Sequence, residues 1–412
     1  MGVYLGSNFI NDINNITYID ENFLQENAFL KGQISYYENN SMVSVGDYTF
    51  RAQKNLVSIN LPNVTSVGIY AFYSCKSLET INISSATTIG THAFTSCTNL
   101  ISINLPKVTT IGTYAFSSCQ QLTLVDIPKL SSVPLGAFAN CKQLTTVNLP
   151  SATSIDTSAF SGCNSLAVIS MSKVTSVSSC AFYSCENLTS VNLPKVTTIG
   201  SSAFYRCTKL TSLNIPSVRA IYHDAFRNCF CLTNLNLNSA NIIYGRCNLK
   251  QNRSSFYGAF YLCSGLVSIS IPNVTTIQSV AFGCCYNLAT VDGPNVKTVG
   301  GYYSSSTVGN STYYLYGGAF MSCHNLTMVS FPTLSTIQSG AFAFCYNLLS
   351  VYLLGSSIVS LTDTNAFRST PISTYTTSTD GVHGSIYVPA SLYGYYKTST
   401  NWSRYSARFV SV

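Results

Sequence analysis

Residues 91–112 read THAFTSCTNLISINLPKVTTIG, and the same 22-residue pattern stands directly before them and directly after. Counted from the phenylalanine, the frame is A-F-x-x-C-x-x-L-x-x-[IV]-x-[IL]-P-x-[VA]-[TS]-x-[IV]-G. Phe50, Phe72, Phe94, Phe116, Phe138, Phe160, Phe182, Phe204 and Phe226 keep a constant spacing of 22 residues. Phe260, Phe282, Phe320 and Phe342 continue the series after two insertions, and Phe29 and Phe367 mark its irregular ends. A fixed period of this length is the signature of a solenoid, in which each repeat buries its apolar face only against its neighbours.

Each repeat reads as one coil. The leucine six residues after the phenylalanine is present in all thirteen regular repeats, from Leu56 to Leu348. Apolar residues follow at the ninth and eleventh positions, as in Ile103 and Leu105. That alternation is the period-2 signal of a strand with one buried face. Proline at the twelfth position (Pro62, Pro106, Pro150, Pro194) cannot donate to a ladder and ends the strand. V-T-x-I-G is a second short extended run, and T-x-A-F-x-x-C suits a helical turn tucked against the strands. The predicted fold is an α/β solenoid with short parallel strands and short helical turns.

L-x-x-[IV]-x-[IL] within a 22-residue period resembles a leucine-rich repeat. The added G-x-x-A-F-x-x-C-x-x-L block is similar to the BspA-like, or Treponema-type, subclass. The match covers about residues 28–367. The resemblance implies a right-handed superhelix used for adhesion and for binding proteins or glycans, mostly outside the cell. Residues 385–402, SIYVPASLYGYYKTSTNW, resemble the terminal module of such proteins, with Trp402 as a lid over the last coil. Residues 1–27 then serve as an N-terminal cap or attachment segment with no repeat register, and residues 368–412 as the C-terminal cap.

Two insertions break the period at the same point of the repeat, between the second strand and the turn. One lies near 244–257 and carries Arg246, Lys250 and Arg253; the other lies near 300–316 and carries Tyr302, Tyr303, Tyr313, Tyr314 and Tyr316. Insertions in repeat arrays map to loops on one face, often the binding face. Tyrosine offers large, stiff, amphipathic contact area. These eight residues are therefore the expected ligand contacts.

Single positions become surface rows. Cysteine at the third position after the phenylalanine recurs in twelve repeats, as in Cys97 and Cys119, and follows core placement. A reduced, buried row is expected, since a buried thiol behaves as a small hydrophobe. Neither zinc-ligand spacing nor any other metal motif appears. Asparagine at the tenth position points outward, and Asn104, Asn148, Asn192 and Asn214 could form an amide ladder or a polar strip for sugar hydroxyls. Lys107, Lys129, Lys173 and Lys195 line the strand edge as a solvated row, with attraction for an anionic glycan as the second reading.

Charged residues make up only 8% of the chain and the net charge is +7, which argues against nucleic acid as partner. No run of 18 apolar residues marks a membrane helix. The N-terminus, MGVYLGSNFINDINN, lacks the features of a signal peptide. His92, His223, His324 and His383 stand without a nucleophile or metal partner, so no enzyme and no cofactor is expected. The sequence predicts a non-enzymatic recognition or adhesion protein for a cell-surface protein or glycan, at a cell or particle surface. A structural spacer, or a phage-tail or injection-particle component that binds a host receptor, is the alternative.

Overall fold

The computed structural model describes residues 3–5, 8–10, 18–19, 35–250, 253–308, 311–373 and 383–412; for the strands before residue 20 and for 247–250, 253–255, 304–308 and 311–315 it describes the backbone alone. The chain divides into two units, Met1–Lys195 and Val196–Val412. Each is a parallel β-solenoid whose coils carry a three-residue front strand and a two-residue side strand. In the first unit, Ser58–Asn60 pairs with Thr80–Asn82, placing Ile59 opposite Ile81, and Ser66–Val67 pairs with Thr88–Ile89. In the second, Asn234–Asn236 pairs with Ser268–Ser270, and Thr276–Ile277 with Thr298–Val299. The alternation read from sequence sets the faces: Ile103 is buried between exposed Ser102 and Asn104.

The stretch expected to be a helical turn is a different structure. In residues 92–97 successive N–H groups go to two destinations. His92, Phe94 and Ser96 donate to the carbonyls of Thr113, Ala115 and Ser117 in the next coil, at 3.0, 2.7 and 2.8 Å. Ala93, Thr95 and Cys97 donate back three residues, to Gly90, His92 and Phe94, at 3.3, 3.2 and 3.1 Å. An α-helix would send every donor four residues back; here the neighbouring coil claims every second one. His92 and Ser96 adopt φ of 55° and 63° to aim those groups outward along the stack. Such left-handed residues cost about 1–2 kcal/mol each, and the coil-to-coil bonds they permit offset that cost. Among the described residues, the helices are Tyr393–Thr398 and the 3₁₀ segment Ser403–Arg408.

Behind the turns the phenylalanines form a column. From Phe50 to Phe182 in the first unit each ring lies 4.9–5.6 Å from the next, with interplanar angles of 2–14°. The second unit repeats this from Phe204 to Phe367 at 5.2–5.6 Å. All of these rings are fully buried. The cysteine row runs beside them: Cys75, Cys97, Cys119, Cys141, Cys163 and Cys185 donate their thiols to the carbonyls of Phe50, Phe72, Phe94, Phe116, Phe138 and Phe160 at 2.9–3.2 Å. Burial pushes the Cys141 thiol up to about 12. Among the described residues no disulfide forms, which agrees with the expected reduced row.

Near the N-terminus, Tyr18–Ile19 pairs in parallel with Ser44–Val45. The side-strand ladder thus begins inside the segment expected to lack repeat register, because two extended residues suffice to join it. Phe29 lies outside the described residues. Beyond Phe367, Trp402 is 1% exposed, its ring 6.2 Å from the Phe367 ring and its indole N–H on the Val359 carbonyl at 2.6 Å. Tyr396 and Tyr405 are buried beside it.

Candidate functional site

Both insertions, in the second unit, fold as antiparallel hairpins. The first joins Gly245–Lys250 to Arg253–Gly258, and the second joins Tyr303–Val308 to Ser311–Tyr316. Their roots are built alike. Gly245 of the first hairpin lies against the Ser279 carbonyl, and Gly301, just before the second, lies against the Ser339 carbonyl; a Cβ at either position would overlap that oxygen. Gly258 and Gly318 meet the Val280 and Gly340 carbonyls in the same way. Gln278 accepts the Gly245 N–H at 3.2 Å, and Gln338 accepts the Gly301 N–H at 3.0 Å. Both glutamines follow T-I where other coils carry T-I-G. The sequence therefore held a signal for each support, one coil after its insertion.

Between the roots lies an apolar cluster of Tyr261, Val280, Cys284, Tyr316, Met321 and Ala343, with Phe256, Tyr303 and Phe344 packed on it. This places the predicted contacts differently from one another. Tyr302 is 42% exposed and Arg246 is exposed, whereas Tyr303 is half-buried and Tyr316 is only 6% exposed. The Tyr316 ring stands 5.1 Å from Tyr303 and edge-on to Phe344 at 5.4 Å, with Arg368 over its face. It is a foot of the hairpin, buried because the strand that carries it, Ser311–Tyr316, ends at the core. The side chains of Lys250, Arg253, Tyr313 and Tyr314 lie outside the described ones.

Sequence reasoning missed Arg227. Its guanidinium donates to the Phe256 carbonyl at 2.6 Å, pairs with Asp224 at 3.5 Å and lies 4.9 Å over the Tyr261 ring, tying the first hairpin to the coil before it. Beside it His223, Asp224, Arg246 and Tyr257, with Ser201 and Ser202, line a recess of about 370 Å³. Burial raises the Asp224 carboxyl to about 6 despite Arg227, and burial lowers His223 below its ordinary value.

The front strands offer a second surface. Asn148 donates to Asp126 at 2.7 Å and Asn192 to Ser170 at 3.1 Å, so these amides tie adjacent coils. Asn104 is exposed, as are Lys107, Lys129, Lys173 and Lys195, and Lys107 reaches Ser85 at 3.4 Å. The front ladder is interrupted after Thr80–Asn82 and Thr146–Asn148 in the first unit, and after Ser212–Asn214 and Thr290–Asp292 in the second. At each interruption the central apolar residue (Ile81, Val147, Leu213, Val291) is half-buried instead of fully covered. Asn214 lines a cleft of about 580 Å³ beside the third of these. Among the described residues no group of three His, Cys, Asp or Glu could hold a metal, and no helix is long and apolar enough to cross a membrane.

The pattern of the BspA type leucine rich repeat region matches residues 17–144, 131–255, 240–307 and 302–380. Among solved structures, a leucine-rich repeat protein from Bacteroides ovatus ATCC 8483 is 21% identical over 98% of this chain and 97% of its own, with a TM-score of 0.65, and shares the fold. A leucine rich cell surface protein from Faecalibacterium prausnitzii A2-165 is 25% identical over 71% of this chain and 94% of its own, with a TM-score of 0.36. No curated protein matches the sequence.

Proposed function

Because the chain belongs to the BspA-type leucine-rich repeat family, we propose that it is a non-enzymatic recognition protein at a cell or particle surface, holding a macromolecular partner with the two hairpins. The observation that carries this reading is the duplicated root. Two insertions 56 residues apart by the Gly245-to-Gly301 count share their glycine pair, their glutamine support and one apolar cluster. Two unconnected insertions in a spacer would have no need of a common device. The construction holds both hairpins at fixed positions, which lowers the ordering cost of binding. Exposed Tyr302 and Arg246 then present an aromatic and a cationic contact, and Lys250, Arg253, Tyr313 and Tyr314 are carried on the strands beyond the roots. Residues 368–412, which bring Trp402 over Phe367, serve as the end cap in this reading.

Binding of the purified chain to immobilised cell-surface proteins and glycans tests the proposal, beside a variant with Tyr302, Tyr313 and Tyr314 changed to Ser. A partner lost in that variant supports recognition by the hairpins. Retention of every partner by the variant would move the site from the hairpins to the front-strand face, and absence of any partner for the parent chain would return the spacer reading.

A further inference from the structure

We propose that the front-strand cleft beside Ser212–Asn214 is a subsite for a neutral oligosaccharide; this deepens the recognition reading and rests on it. The cleft opens where the ladder is interrupted between Ser212–Asn214 and Asn234–Asn236. Its volume of about 580 Å³ lies within the range of small-ligand sites, roughly 300–1,000 Å³. The chemistry of its walls selects the ligand. Amides come from Asn214, Asn236 and Asn238, a hydroxyl from Ser270 and a carboxylate from Asp292. Asn236 and Asp292 are both exposed at the outward positions of their strands. Ser270 donates to one Asp292 oxygen at 3.0 Å, which anchors this lining carboxylate. Half-buried Leu213 supplies an apolar patch between them.

A sugar ring presents hydroxyls that both donate and accept, together with a face of C–H groups. Amides donate and accept, and a carboxylate accepts twice, so the set matches a diol better than it matches any one-sided ligand. Nucleic acid or an anionic polymer would call for lysine or arginine, and none lines the cleft among the described residues. An extended peptide would call for a run of edge backbone groups, and these strands are three residues long. The interruption turns the ladder into a recess at this point, with Asn214 on one wall and Asn236 on the other.

The test is affinity electrophoresis of the full chain in gels containing laminarin, xylan, mannan or dextran, with heparin as the charged comparison. Asn236→Ala and Asp292→Ala alter exposed side chains and leave the core untouched; Tyr302→Ser serves as the hairpin variant. The expected result is retardation by at least one neutral polysaccharide, weakened about tenfold or more in both cleft variants, equal in Tyr302→Ser and insensitive to salt. Absence of retardation by all four neutral polymers overturns the proposal, as does retardation unchanged in the cleft variants or confined to heparin. Loss of a separate partner in Tyr302→Ser alone would leave the hairpin reading standing while the cleft fails.

Discussion

Buried thiols and one buried carboxyl give the residue scale its two tests. Twelve cysteines sit in the repeat row, and those described in it are buried. Thiolate, the reactive form, is suppressed there by burial. Cys231 is exposed and Cys180 half-buried. Ellman titration of the native chain is therefore expected to label rapidly no more than Cys180, Cys231 and Cys247, and to reach all sixteen thiols only in denaturant. Rapid native labelling of the row, or a shortfall in denaturant, would contradict the reduced column. The second test concerns Asp224, whose carboxyl titrates near 6 in the fold against 3.8 ordinarily, because burial disfavours its charge. A raised acid stabilises the fold fully below its unfolded value, and this contribution fades as pH rises through the folded one. Asp224→Asn should thus gain in Tm relative to the parent between pH 4.5 and pH 7.5. His223, shifted down by burial, acts in both proteins and largely cancels in the difference. A difference in Tm that is flat across this range would show that Arg227 neutralises the burial cost entirely.

Hairpin roots dominate at the scale of elements. A glutamine amide accepting one backbone N–H contributes about 0.5–1.5 kcal/mol. Gln338→Ala should accelerate amide exchange in Tyr303–Val308 and Ser311–Tyr316 by up to about tenfold, with the front strands unchanged. Gln278→Ala should do the same to the first hairpin, and Gly318→Ala should be more damaging, because its Cβ meets the Gly340 carbonyl. Unchanged exchange in all three variants would remove the root from the account. These elements also mark what the sequence made legible. The strand positions were readable because Ile103 and its equivalents alternate with polar neighbours, and the insertion limits followed from counting between phenylalanines. The turn at 92–97 was not, because a local pattern cannot reveal that half its amides serve the next coil. Nor was the burial of Tyr316, which depends on where the returning strand meets the cluster. The T-I-Q departures at Gln278 and Gln338 were visible in the sequence but acquire meaning only beside the glycines they support.

For the whole molecule the governing fact is that contacts run from each coil to its neighbours. Stability in such a stack is close to a sum of coil and interface contributions, so removal of one full period should leave every remaining position with an equivalent partner. Deleting 91–112 joins Gly90 to Thr113, which is the junction that Gly112 already makes. Phe72, which stacks on Phe94 at 4.9 Å, would then stack on Phe116, and Tyr70 would take Tyr114 in place of His92. The cysteine of each coil would still find a phenylalanine carbonyl one coil back. Deleting 91–101 removes half a period and sets strand positions against turn positions, burying outward polar residues and exposing the phenylalanine face. The shorter chain lacking 91–112 is expected to retain the parent's circular dichroism per residue and a cooperative melt, and the chain lacking 91–101 to lose both. Collapse of the first variant would mean that the coils are not interchangeable, and that the stack depends on contacts longer than one period.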